Sequence, residues 1–495
     1  DVRIIKGSGV TSSTLPTTTL ASTGSETKLL TCQYSGAVRN VGFVDDSKYN
    51  HQVIRNGDTT MGTFSPFSLE DRYWSVYFDT GTDEGITYAD SSNDLDLGGI
   101  DAHLELWYMP VGDTLQVLLG KHGGSSSWGG SGFAYQFQVP TTRKFTYYYN
   151  AGGPVAMVTT TALTKNVWHH IAVATDSSNN FAVFINGTRE ATANATQTNP
   201  TTRTNFKVGS DIGGNDAEGY FSNLRHVTGS NAYDPTASSI TVPTEPLTAI
   251  TGTQILTCQS NRFVDNSTNN LTVTLSNNPE VLPFSPFAPS RSYSKDAVGG
   301  SAYYDANDYL VLEDPQKVGT VVSNFTFELW IYRTSDVQYA LLSSTGSNGT
   351  FGNGTTDGLN FQFYGTTSIL YLQIHNGAGS FHTMSYSGAP QVGAWNHIAI
   401  TNDGTQTSIF LNGTRVANQT TNFETFHPGT ACDEFQIGRI PSDYTNPKYI
   451  AGVHFHNTEY YDASASTITI PTAPSTPTNN TFALLNFDNA GIIDH

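Results

Sequence analysis

Residues 27–33, TKLLTCQ, return at 253–259 as TQILTCQ, and the echoes continue in order down the chain. FVDDS at 43–47 answers FVDNS at 263–267, and FSPF at 64–67 answers FSPF at 284–287. Leu104-Glu105-Leu106-Trp107 answers Phe327-Glu328-Leu329-Trp330, and Trp168-His-His-Ile-Ala-Val answers Trp395-Asn-His-Ile-Ala-Ile. Phe184-Ile-Asn-Gly-Thr answers Phe410-Leu-Asn-Gly-Thr, and SSITVPTEP answers STITIPTAP. Collinearity of this kind means two copies of one module, and the small differences in spacing between copies belong in loops. At 495 residues the chain has room for two to four folded units, so one fold per copy fits its length.

The ends carry the same signal. Residues 1–33 resemble 223–259, the close of one copy plus a junction, and ALLNFDNAGIIDH at 483–495 parallels 254–266, with Asp494 in the place of Asp265. The expected organisation is the C-terminal part of a preceding repeat over 1–26, one module over 27–252, a second over 253–480, and the start of a further repeat over 481–495. The whole is then an excerpt of a longer string of modules.

Within a copy, Phe325, Phe327, Leu329 and Ile331 fall on one face of a strand, and Thr326, Glu328, Trp330 and Tyr332 on the other. Asn186-Gly187 and Asn412-Gly413 supply the positive backbone angles of a type I′ hairpin turn. Glycine (46), tyrosine (25) and phenylalanine (27) abound, and helical periodicity is nowhere sustained. The pattern predicts an all-β protein of two tandem antiparallel β-sandwiches of jelly-roll type. The Pro/Thr stretches VPTEPLTAITGT and IPTAPSTPTNNT read as extended connectors.

A formal charge of −19 repels a phosphate backbone, which argues against nucleic acid as a partner, and no run of apolar residues is long enough for membrane insertion. Cys32 and Cys258 occupy one site in two copies and Cys432 has no counterpart, so no disulfide belongs to the repeated design, which suits assembly in a reducing cytoplasm.

Together, the -F-E-L-W- strand, W-x-H-I-A-V and V-F-I-N-G-T resemble the laminin-G-like branch of the concanavalin A-like lectin and glucanase superfamily, over almost the whole of each copy. The resemblance implies that Trp168 and Trp395 pack inside the sandwich, and that Ca²⁺ is held at a sandwich rim. The aspartates that suit such a site are Asp79 and Asp83 in YFDTGTDEG, with Glu84 beside them, and Asp305 and Asp308 in YYDANDYL. FSPF, YFDTG and the closing IIKG-type strand before a Thr/Pro linker are similar to tandem domains in large structural proteins of tailed bacteriophages, especially marine ones.

Glycan hydrolysis in this superfamily uses an E-x-D-x-x-E strand, and retaining chemistry needs carboxylates roughly 5.5 Å apart. Glu105 and Glu328 stand alone on their strand faces, so a hydrogen-bonded or solvated glutamate is expected instead of a catalytic one. His170 and His397 read as satisfied sheet histidines. For carbohydrate, Trp128 and Tyr135 in HGGSSSWGGSGFAYQ offer aromatic platforms among Gly and Ser. The ten N-x-S/T sequons follow from abundant Asn and Thr, and Asn186 and Asn412 are explained by their turns. The expected role is a non-enzymatic structural and adhesive protein of a phage virion, displayed on its surface. Its partners would be other virion proteins or copies of itself, and host-surface polysaccharide. A microbial or algal adhesin, a capsid decoration protein and a glycan-degrading enzyme are the alternatives.

Overall fold

The computed structural model describes residues 2–5, 27–31, 43–47, 51–68, 72–80, 83–90, 92, 94–123, 133–199, 202–211, 215–287, 295–305, 308–313, 324–345, 358–364, 369–375, 381–388, 390–420, 434–439 and 446–488. Trp128, Cys32, Cys432 and Asp494 lie outside them. The chain forms two compact units. One, the Glu105 unit, comprises 70–290 with 392–394, and the other, the Glu328 unit, comprises 1–69, 291–391 and 395–495. The expectation of an all-β fold holds: the described helix is a single turn, Lys295–Val298.

Each unit contains two large sheets, and Val2–Ile5 with Thr27–Thr31 form a separate two-stranded one. In the Glu105 unit one sheet runs Thr188–Asn194, Asn180–Ile185, His169–Thr175, Ala102–Pro110, Gly219–Thr228, Ser75–Phe78, Glu280–Leu282, and Thr253–Thr257 also pairs with Gly219–Thr228. Its second sheet runs Pro154–Ala162, Lys144–Asn150, Phe133–Val139, Gln116–His122, Asn205–Val208, Gly85–Ala89, Val273–Ser276. The Glu328 unit repeats the order with Thr414–Gln419, Thr407–Leu411, Trp395–Asn402, Phe325–Arg333, Lys448–His456, Ser301–Tyr304, Thr60–Gly62, and with Thr481–Leu485 on Lys448–His456. Its second sheet runs Phe381–Tyr386, Ile369–His375, Gly358–Tyr364, Tyr339–Thr345, Glu434–Ile437, Tyr309–Glu313, Val53–Asn56.

The alternation read from Phe325–Arg333 sets one face of that strand into a core with Leu342, Phe361, Phe435 and Val453. The other face is buried as well, with Tyr460 and Tyr461 against Thr326 and Glu328 and the FSPF segment over Trp330 and Tyr332. Phe67 packs edge-on against Trp330 at 5.7 Å, and Phe64 meets Trp395 at 5.1 Å and Tyr332 at 4.9 Å. In the Glu105 unit Phe287 meets Trp107 at 5.5 Å and Phe284 meets Trp168 at 5.4 Å. Phe67 and Phe287 are buried, and burial of each contributes about 1.5–3 kcal/mol, whereas Phe64 is half-buried and Phe284 exposed. Trp395 is fully buried and Trp168 half-buried, but not inside the sandwich as expected: Trp395 lies opposite Tyr332, on the strand face away from the core and against Phe64, and Trp168 packs on Phe284.

The Asn-Gly turns adopt the angles expected of them, with φ of 48° and 84° at Asn186-Gly187 and 49° and 83° at Asn412-Gly413. A side chain at Gly187 would meet the Ile240 carbonyl at 2.8 Å, so the passing connector requires glycine there too.

The grouping of strands departs from boundaries drawn at the Pro/Thr connectors. Thr253–Thr257, Val273–Ser276 and Glu280–Leu282 pair with strands that precede the connector. Val53–Asn56 and Thr60–Gly62 pair with Tyr309–Glu313 and Ser301–Tyr304. The connectors themselves form no ladder, whereas these short strands complete sheet edges whose backbone groups would otherwise lack partners. The junction register recurs three times. Val2 and Arg3 face Thr31 and Leu30, Leu224 and Arg225 face Thr257 and Leu256, and Val453 and His454 face Leu485 and Leu484. A register shift follows two residues later in each case.

Candidate functional site

The two central strands put a glutamate at the same register position. Glu105 lies opposite Ala172 on one side and Arg225 on the other, and Glu328 lies opposite Ala399 and His454. The small alanine leaves room for the histidine two positions away on the same strand face to reach over. His170 Nε2 donates to Glu105 Oε2 at 2.9 Å and His397 Nε2 to Glu328 Oε2 at 3.0 Å. Tyrosine hydroxyls donate to the same oxygens, Tyr233 at 2.7 Å and Tyr461 at 2.6 Å. The remaining oxygen is held by Arg225 in the first case, with Nε at 2.9 Å and Nη2 at 2.5 Å, and by His454 Nδ1 at 2.9 Å in the second.

Both carboxylates are buried. Burial alone would raise them, but His103 Nε2 at 3.5 Å, the His170 hydrogen bond and the Arg225 charge hold Glu105 well below the usual carboxylate range. For Glu328, burial is outweighed by hydrogen bonds and charge from His397 and His454, and the group is again lowered. A carboxylate sealed from solvent with both oxygens occupied by donors is a structural hub and not a general acid. His170 and His397 are sheet histidines as their setting in the sequence implies, but only half satisfied: Nε2 of each serves the glutamate, while the buried Nδ1 of each meets no hydrogen-bond partner.

At the rim, the ligand atoms of Asp58, Asp305 and Asp308 all lie within 4.8 Å of one another, the one such group among the described residues. Asp308 is buried, and its Oδ1 and Oδ2 accept the amides of Asp58 at 2.8 Å and Asp305 at 3.3 Å. Burial, together with the neighbouring carboxylates, raises it. A Cβ on Gly57 would sit 1.8 Å from Asp308 Oδ1, so only glycine lets the turn come this close. Buried Lys448 lies nearby, pushed down to about 7 by burial while the Asp308 charge draws it up.

The corresponding rim of the Glu105 unit is built differently. Glu84 takes the place of Asp308, accepting the Asp79 amide at 2.9 Å, and Asn278 stands in the turn position of Asp58. Lys207 Nζ contacts Asp83 at 2.9 Å. The Asp83 carboxylate, expected beside Asp79 from YFDTGTDEG, thus meets an ammonium and not a third carboxylate. Asp305 and Asp308 do come together, with Asp58 as a third carboxylate that no local motif marked.

Tyr135 is corrected. It belongs to the strand Phe133–Val139 and is fully buried, with its hydroxyl 2.8 Å from the Leu95 carbonyl and 3.1 Å from His226 Nε2. It cannot offer a ring face to a sugar. A different surface feature appears in the Glu328 unit, a groove of about 540 Å³ lined by Thr383, Ser385, Val416, Asn418 and Gln419 among others. At the matching edge of the Glu105 unit, Glu190 takes the place of Val416 and clasps the opposite strand through the Thr160 and Thr161 amides, both at 3.1 Å.

Among the described residues no helix is long and apolar enough to cross a membrane. No curated protein matches the chain. Among solved structures, domains LG4-5 of the mouse laminin alpha1 chain align at 11% identity and TM-score 0.27, covering 83% of this chain and 95% of that one. The receptor-binding domain of botulinum neurotoxin type G aligns at 13% identity and TM-score 0.26, over 33% of this chain and 40% of that one. The native heptameric SAP-like pentraxin from Limulus polyphemus aligns at 13% and 0.26, over 32% and 77%. A family model, Laminin_G_3, described as the concanavalin A-like lectin/glucanases superfamily, matches residues 80–229 and 304–463, one segment in each repeat. With the match spanning more than half of its length, the chain belongs to the concanavalin A-like lectin/glucanases superfamily.

Proposed function

We propose that this chain is a non-enzymatic adhesive protein whose lectin-like sandwiches attach a tailed-phage virion to host-surface polysaccharide. The observation that carries the non-enzymatic part is the saturation of Glu105 and Glu328. The carboxylates of the central strands are buried and fully engaged, so neither can protonate a leaving group. The carbohydrate part rests on family membership and on hydrogen-bonding side chains such as Asn418 and Gln419 along the groove of the Glu328 unit. The virion setting is the reading that the resemblance of FSPF, YFDTG and the closing IIKG-type strand before its Thr/Pro linker suggests, with assembly in the host cytoplasm and display outside. Repetition suits weak sites, because linked modules gain avidity through effective concentration.

Calcium fits the Glu328 rim better than the other, since Asp58, Asp305 and Asp308 supply three oxygen donors of the hard type Ca²⁺ prefers. A bound ion would neutralise this cluster and order the turn of Asp58.

A glycan array with the full chain, with and without chelator, tests the reading. Binding to a polysaccharide class, weakened by W128A or by N418A/Q419A, is expected. An array blank across all classes would overturn the carbohydrate reading and leave capsid decoration. Release of reducing ends, lost in E328Q, would overturn the non-enzymatic one.

A further inference from the structure

The last strands of the two units are sequence equivalents that reach their places from opposite directions along the chain. In the Glu105 unit, FVDNS to FSPF (263–287) follows directly on Thr253–Thr257. Asp265 Oδ1 accepts the Leu256 amide at 3.0 Å across nine positions of sequence. In the Glu328 unit, FVDDS to FSPF (43–67) does the same work from far upstream, and Asp45 Oδ1 accepts the Leu484 amide at 2.9 Å across 439 positions. The backbone bonds match too, Asn266 to the Leu256 carbonyl at 2.6 Å and Asp46 to the Leu484 carbonyl at 2.7 Å. So do the hairpins, Val273–Ser276 with Glu280–Leu282 against Val53–Asn56 with Thr60–Gly62, and the aromatic seats of Phe287 on Trp107 and Phe67 on Trp330. The acceptor edge therefore recognises the segment through ladder bonds, an aspartate cap and two phenylalanine anchors, whatever its covalent connection.

We infer that this edge of the Glu328 unit is a strand-acceptor site and that a second copy of this chain can fill it, residues 43–67 of one copy completing the Glu328 unit of the next. Main-chain pairing supplies affinity and the aromatic seats supply specificity, as in β-strand addition generally. Filling from within or from another chain makes the same contacts and differs only in effective concentration. The contact is head-to-tail, so it extends chains in series unless the rotation closes a ring.

The test uses the full chain with Cys32, Cys258 and Cys432 replaced by serine or alanine. Thr60 lies opposite Tyr303 at the paired edge, exposed and half-buried respectively, close enough for a disulfide between introduced cysteines. The double variant T60C/Y303C should close within one chain. T60C chains and Y303C chains, unfolded together and refolded as a mixture, should give a cross-linked dimer on a non-reducing gel whose share rises with chain concentration. Adding G57V to the Y303C chain weakens its own segment and should raise that share about tenfold, the ratio given by ~1.4 kcal/mol. If the double variant closes while the mixtures give monomer at every concentration, exchange is overturned. If the double variant itself does not close, the acceptor register is overturned.

Discussion

The Glu105 and Glu328 units bury a carboxylate at the same point of the same strand, yet one balances it with a guanidinium and the other with a second imidazole. Histidine and tyrosine partners are common to both, so the geometry of the hub is the repeated element and the charge partner is the variable one. The exchange is possible because position 225 or 454 is the direct cross-strand neighbour of the glutamate, and any donor long enough to reach Oε1 serves. Around this shared hub the Glu105 unit adds further buried charge, with Lys121 held 2.7 Å from Asp90 and also by Asp96. The corresponding strand position in the Glu328 unit is Ser344. Two cores of one design thus differ in where they bury charge, the Glu328 unit placing Arg333 and Lys448 inside instead, and buried ion pairs are costly to break rather than large sources of stability.

The largest effect expected from this contrast is at the hub. Arg225→Ala leaves Glu105 short of its permanent cation and should cost about 3–5 kcal/mol in urea unfolding, against roughly 1–3 kcal/mol for His454→Ala, which removes one imidazole hydrogen bond and no guanidinium. Equal losses would mean that the guanidinium and imidazole are interchangeable in more than position.

Next come the aromatic seats. Phe67→Ala and Phe287→Ala each empty a site over a tryptophan and should cost about 3 kcal/mol in their own unit. Intrinsic fluorescence should follow both, and a loss in only one unit would separate the two segments.

The pH response comes third. Burial pushes His226 down to about 3, and Phe455 is its counterpart in the Glu328 unit. Below the ordinary histidine value of 6.5 the unfolded chain takes up a proton that folded His226 refuses, so stability falls as pH drops from 6.5 toward 3. The slope is about 1.4 kcal/mol per pH unit for one proton. His226→Phe should flatten this limb in thermal melts between pH 7 and 4; an unchanged slope would place the acid sensitivity elsewhere, as at His122 or His456, both pushed down to about 4 by burial.

The smallest effect is at the groove. Glu190→Val should open the clasp on Thr160 and Thr161 with a stability change within about 0.5 kcal/mol, since the site is exposed. Carbohydrate binding gained by Glu190→Val, or lost by the reciprocal Val416→Glu, would mark this edge as the binding one.

Much of this was legible in residue order. Period-two alternation around Leu104–Trp107 and Phe327–Trp330 and the Asn-Gly turns led directly to packed antiparallel sheets. Tyr135 was not legible, because a strand begins at Phe133 inside what reads as a Gly/Ser loop, and its hydroxyl partners lie 40 and 91 positions away. The ammonium beside Asp83 is hidden for the same reason, Lys207 lying 124 positions downstream. Asp58 could be added to Asp305 and Asp308 only once Val53–Asn56 had found its edge.

What the sequence by itself determined is the module: its strands, its turns, its doubling and its aromatic seats, all written in neighbours a few residues apart. What only the tertiary structure decided is which segment completes which sandwich and which cation meets which carboxylate. Edge pairing depends on backbone groups common to every residue, and charge pairing on side chains brought together across the sheet, so neither leaves a local pattern to read.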